Sequence, residues 1–227
     1  MDSVNIFLHD RGMSNSPAQS DRRPYHHGDL RAALLAAAET LLHESGTWGF
    51  SLREVARRAA VSHSAPYSHF PDKRALMASV AEIGFVRLRG VLEKAGTGDS
   101  SPLPYDRIVD LAVAYVRFAS ANRAMFRLMF SEELSQVADL HNLTRSTEAA
   151  FDILPEAVIA AGHSESSAQS PDSAHSLAAW ALGHGLSTLI IDGRVPIPED
   201  PELFDALVSQ TAKMLVFGLK AAVPECD

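Results

Sequence analysis

A chain of 227 residues, 46% hydrophobic and 21% charged, can bury a core as one medium domain or as a small domain joined to a larger one. It has no uncharged apolar run of the roughly eighteen residues that a membrane span needs; the nearest, Leu177 to Ile191, is interrupted by His184, so no membrane partner is expected. The net charge of −8 speaks against a nucleic-acid partner until its distribution is read: Asp21 to Lys94 holds 11 Lys+Arg against 8 Asp+Glu, whereas Ala95 onward holds 8 against 18. A basic front on an acidic back predicts two jobs in one chain.

Residues 1–24 have no apolar period and are rich in Ser, Asn, Asp and Pro, which predicts a disordered arm with Met13 as an alternative start. Its end, "DRRPYHH", offers Arg22 and Arg23 to a phosphate backbone or a minor groove, or else is a solvated tail. The segment 25–94 predicts a helix-turn-helix domain with a connecting helix. In "DLRAALLAAAETLLHESG", Leu30, Leu34, Ala37, Ala38 and Leu41 share one helical face and Gly46 suits the stop. Ser51 and Glu54 have capping-box spacing, and Phe50 and Val55 have that of a hydrophobic staple, so the second helix starts near Leu52. Leu52, Val55, Ala56 and Ala59 form its inner face and Arg53, Arg57 and Arg58 its outer one.

The next stretch, "AAVSHSAPYSHFPDKRAL", gathers Ser, His, Tyr and Lys. An enzyme would need these groups to converge. On a helix of about two turns they splay along an exposed side instead. A recognition helix explains them better, with Ser62 or Ser64 as its cap. His63, Ser64 and Ala65 meet base edges, Tyr67, His69 and Lys73 point at phosphates, and Val61 and Phe70 pin the helix to the core. Ser51 and Arg53 complete the DNA-facing set. Pro66 is tolerated only in a first turn, which moves the expected start to Ser64. Asp72 caps a fourth helix with a buried stripe of Leu76, Val80, Ile83 and Val86 down to Lys94.

"AGTGDSSPLP", 95–104, reads as a linker. Helices are then predicted at about 105–121, 123–131, 134–161, 172–192 and 200–220, in a second domain over 105–222. No segment alternates like a strand, so the expected fold is all-α. "NRAMFRLMF" clusters Met125, Phe126, Met129 and Phe130, and "AAWALGHGLSTLIIDG" sets Trp180 and His184 four apart. Both patterns suit ordinary core as well as a site. As a site they suit a small, mostly apolar effector, with aromatics for burial and His184 as polar anchor. The candidate wall is Tyr115, Phe118, Phe126, Met129, Phe151, Trp180 and His184. Small residues at 183 and 185 make 172–192 and 200–220 the expected homodimer interface. His26, His27, His63 and His69 lack companion ligands, so neither metal nor cofactor is expected. The one cysteine, Cys226, cannot form an internal disulfide, and the N-terminus shows no export signal, which points to a cytoplasmic home.

The run from about Asp29 to Val80 resembles the DNA-binding domain of TetR-type transcriptional regulators: Gly46, then "FSLREVARRAAVS", then "YSHFPDKRAL". Two positions depart from that pattern. Ala60 replaces the usual turn glycine, and Pro66 replaces a bulky apolar residue. Trp180, His184, Gly185 and "NRAMFRLMF" resemble the WHG type of TetR C-terminal domain. The resemblance implies phosphate contacts from Ser62, Tyr67, His69 and Lys73, a homodimer, and an effector pocket in the C-terminal domain. The expected function is a repressor on a palindromic operator released by its effector. DNA binding without an effector is the alternative. An all-α enzyme using His184 is disfavoured, because no nucleophile or second acid/base stands beside that histidine.

Overall fold

The computed structural model describes residues 27–96, 104–135, 141–162 and 174–221. Arg22, Arg23 and most of the 95–104 linker lie outside them. Among the described residues there are ten α-helices, one 3-10 turn and no strand. The first domain holds α1 (His27–Ser45), α2 (Leu52–Arg58), the 3-10 turn (Ala65–Ser68) and the start of α3 (Lys73–Gly96). The bundle holds α4 (Pro104–Ala121), α5 (Arg123–Met129), α6 (Glu132–Ser135), α7 (His141–Phe151), α8 (Ile153–Ala160), α9 (Ala174–Ile191) and α10 (Pro201–Ala221).

Local signals set the ends of the first helices. Gly46 closes α1 at φ +70°, its N–H bonding to Leu42 C=O at 3.0 Å. The capping box at α2 is complete: Glu54 N–H donates to Ser51 Oγ, and Ser51 N–H donates to the Glu54 carboxylate at 2.7 Å. Bonds from Ser51 N–H and from the Ser51 hydroxyl to the Glu54 carboxylate hold its pKa below its ordinary value. Asp72 accepts from Ala75 N–H at 2.9 Å and starts α3. Leu34, Ala38, Leu42, Val55, Phe70, Leu76 and Val80 are buried together. The stripe on α3 then departs from expectation: Val86 is 56% exposed, and Phe85 and Leu88 are buried instead. At a helical period their positions continue the line from Val80 and Ala81.

Because α3 is 24 residues long, its second half enters the bundle and packs against α4, α5, α7 and α8. A Cβ at Gly84 would sit 2.6 Å from Met129 Sδ, so a side chain there would displace the Met129 side chain where α3 meets α5. α4 lies centrally against α3, α8, α9 and α10. The single helix expected over 134–161 is instead broken, with α7 ending at Phe151 and α8 beginning at Ile153. Pro155 has no N–H for the Phe151 carbonyl, so the ladder restarts there. No helix is long and apolar enough to cross a membrane among the described residues.

Candidate DNA-reading surface and bundle cavity

The recognition segment starts where expected but is not a two-turn α-helix. It is a four-residue 3-10 turn with Ser64 at its N-cap position and Pro66 in its first turn. Hydrogen-bond accounting gives the reason. In an α-helix Ser62 C=O would accept from residue 66, which is a proline. It accepts from Ala65 N–H at 3.0 Å instead. Pro71 then limits the other end. Neither serine caps with its side chain; Ser62 Oγ and Ser64 Oγ lie 3.3 Å apart.

The turn leading in is a Schellman motif. Val61 N–H donates to Ala56 C=O at 3.0 Å and Ala60 N–H to Arg57 C=O at 3.2 Å. Ala60 occupies the left-handed position at φ 55°. Buried Pro66 and Phe70 anchor the segment, with Val61 packed at the core edge. Ser62, His63, Ser64 and Tyr67 are exposed on its outside; Ala65, His69 and Lys73 are partly so. Lys73 Nζ stands 5.8 Å from the Phe50 ring centroid. Arg53, Arg57 and Arg74 are exposed nearby, while Arg58 is held by Glu44, which lowers the Glu44 pKa and raises that of Arg58. Ser51 is exposed too, but its hydroxyl is engaged by the cap.

In the bundle, Tyr115 Oη and His184 Nδ1 are 3.0 Å apart. Burial pushes the Tyr115 phenol far above its ordinary pKa, with an opposing hydrogen bond from Trp180. The indole N–H can only donate, so it serves the Tyr115 oxygen. The phenol proton then faces His184 Nδ1, which assigns the neutral ring its proton on Nε2. Burial lowers the His184 pKa and keeps that ring neutral. Trp180, Phe126 and Phe130 surround the imidazole at centroid distances of 5.3, 5.4 and 4.5 Å.

An apolar cavity of about 50 Å³ lies beside this cluster. Of the candidate wall, Tyr115, Phe151 and Trp180 line it. Phe126 and His184 line a different cleft, and Phe118 and Met129 are buried outside both. Leu111, Leu154 and Leu215 were not legible as lining from spacing alone, since three helices bring them together. Phe85 was also missed; it packs edge-on against Phe130 at 5.5 Å and Phe151 at 6.3 Å, joining α3 to the aromatic cluster. Gly183 does not present a free surface for a second chain. It is buried, and a Cβ there would lie 3.7 Å from Tyr115 Cδ1.

Two family models match this chain. Residues 34–80 match bacterial regulatory proteins of the tetR family, and residues 108–211 match a tetracyclin repressor-like C-terminal domain. The chain belongs to the tetR family of transcriptional regulators. A solved protein of unknown function from Rhodococcus sp. RHA1 is 35% identical, with a TM-score of 0.70 over 87% of this chain and 98% of that one. A tetR-family regulatory protein from Rhodococcus RHA1 is 22% identical, with a TM-score of 0.61 over 82% and 96% of the two chains. The TetR-family transcriptional regulator PfmR from Thermus thermophilus shares the fold at 18% identity, with a TM-score of 0.57 over 81% and 97%. No curated protein matches. In this TetR-family chain the segment expected to read DNA is a 3-10 turn with a left-handed alanine before it.

Proposed function

We propose that the protein is a homodimeric repressor that reads a palindromic operator through residues 62–69 and is released by a small, mostly apolar effector. The observation that carries this reading is the exposure of Ser62, His63, Ser64 and Tyr67 on a segment whose other side, Pro66 and Phe70, is locked in the core. Such a surface presents hydrogen-bonding groups in fixed positions, as base readout requires. Arg53, Arg57, Lys73 and Arg74 supply positive charge around it.

α10 supports the dimer. Leu203, Leu207, Met214 and Phe217 are exposed, and their spacing places them on one face. Two-fold pairing through that face gives two recognition segments and hence a symmetric site.

The apolar cavity supports the effector. No charged residue lines it, and Tyr115 and Trp180 supply its polar atoms. At about 50 Å³ it holds at most a few waters. An effector must therefore open it, moving α9 away from α4 and α8. Such a ligand favours a packing different from this one, and the difference in affinity sets the response. The small volume also favours the second reading, DNA binding with no effector.

Hydroxyl-radical footprinting on a bound duplex tests the proposal. Two protected half-sites related by a dyad support a dimeric repressor. A single protected patch contradicts it.

A further inference from the structure

A second cavity, of about 420 Å³, lies where the α1–α2 connection meets the bundle. Its size is in the range of ligand clefts, about 300–1,000 Å³. Trp48 forms the wall on the DNA-binding side; Phe126, Phe130 and His184 form the wall on the bundle side. Its rim is acidic. Glu132, Glu133 and Asp192 give three carboxylates against a single guanidinium, Arg127. That guanidinium is already bonded to Asp192 at 2.8 Å and to Ile191 C=O at 3.0 Å, which turns its charge toward the end of α9. Ser131 Oγ, also in the lining, is buried and has no hydrogen-bond partner among the described residues.

Aromatic side chains with carboxylates at the rim suit a particular chemistry. Ring quadrupoles attract a cation that sheds part of its water, and the carboxylates supply long-range attraction and orientation. An anion meets repulsion here, and a neutral apolar molecule gains only contact area. We propose that this cleft is a ligand site for an organic cation, an aromatic or branched alkyl ammonium that fits between Trp48 and the Phe126–Phe130 wall.

The site differs from the apolar cavity, whose lining holds no charge. His184 lines only the cleft, but it packs against Trp180 of the apolar cavity's wall as well as against Phe130 of its own. Each cavity also has its own tryptophan, and the chain contains two in all. An occupant of the cleft touches the α1–α2 connection through Trp48, so its binding is thermodynamically linked to any movement of that domain.

The two tryptophans make the test direct. Full-length Trp180→Phe leaves Trp48 as the only indole. Benzyltrimethylammonium, its uncharged isostere neopentylbenzene, and phenylacetate are each titrated while Trp48 emission is followed, with equilibrium dialysis of the wild-type protein as a second readout. The expected result is a saturable change with the cation and none with the other two. Glu132→Gln with Glu133→Gln, both exposed positions, weakens the cation about five- to tenfold at unchanged circular dichroism. Thr188→Lys, which adds positive charge to the rim without touching the carboxylates, has the same effect. Equal binding of the uncharged isostere, no saturable change, or indifference to both rim variants overturns the proposal. Operator binding is measured on the same preparations. A protein that reads DNA but ignores the cation overturns this site alone.

Discussion

Tyr115 on α4 and His184 on α9, 69 positions apart, are joined by one hydrogen bond of 3.0 Å beside the rings of Phe126, Phe130 and Trp180. The Trp180 indole also bonds to the Tyr115 oxygen, so the three residues form one polar cluster. Tyr115→Phe removes the only donor to Nδ1 among the described residues and leaves a half-buried acceptor unsatisfied. The expected cost is about 1–2 kcal/mol. Denaturant unfolding of this variant, of His184→Phe and of the double variant reads the coupling. A double variant no worse than Tyr115→Phe supports the bond, and full additivity removes it.

The same histidine gives a pH dependence. Burial holds its pKa below the ordinary 6.5. Between its folded value and 6.5 the unfolded chain binds more protons than the folded one, so stability falls as pH falls through that window. Wild-type Tm is expected to drop on acidification from neutral pH, and the drop to be smaller in His184→Gln. Parallel Tm curves for the two proteins refute the assignment.

Ala60 stores strain. A left-handed alanine at φ 55° costs on the order of 1 kcal/mol that glycine avoids. Ala60→Gly is expected to raise Tm by about 1–4 °C, and Ala60→Val to lower it. A lower Tm for the glycine variant contradicts the Schellman geometry.

Ser51→Ala deletes the cap hydroxyl shared by Glu54 N–H and the Glu54 carboxylate. A loss of about 1 kcal/mol is expected, with earlier amide exchange in α2 than in α4. Unchanged exchange in α2 contradicts a role for the cap.

Leu207→Asp with Met214→Asp places charge on the exposed face of α10. Sedimentation equilibrium is expected to show dimer for the wild type and monomer for the variant, with circular dichroism unchanged. A wild-type monomer, or a variant dimer, rules out this face as the interface.

The sequence was most informative where short-range chemistry decides structure. Ser51–Glu54 spacing, Asp72 before Lys73, Gly46, and the replacement of glycine by Ala60 all lie within four residues of the bonds they control. The 3-10 character of 65–68 was within reach as well, because a proline at 66 leaves Ser62 C=O without its α-helical partner. Tertiary features were not legible. Nothing near Gly84 announces Met129, and no spacing places Trp48 beside Phe130 or Leu215 beside Tyr115. The effector wall expected on residue type alone was divided by the fold between two cavities and plain core. Aromatic and Met residues suit all three environments equally.

The most direct measurement of the central claim is selection of bound duplexes from a random pool, at near-physiological salt, by the wild type and by His63→Ala with Ser64→Ala. The account predicts a two-fold symmetric consensus for the wild type, and relaxed preference at matching positions in both half-sites for the variant. No enrichment, or one unchanged by the variant, would contradict sequence reading through residues 62–69.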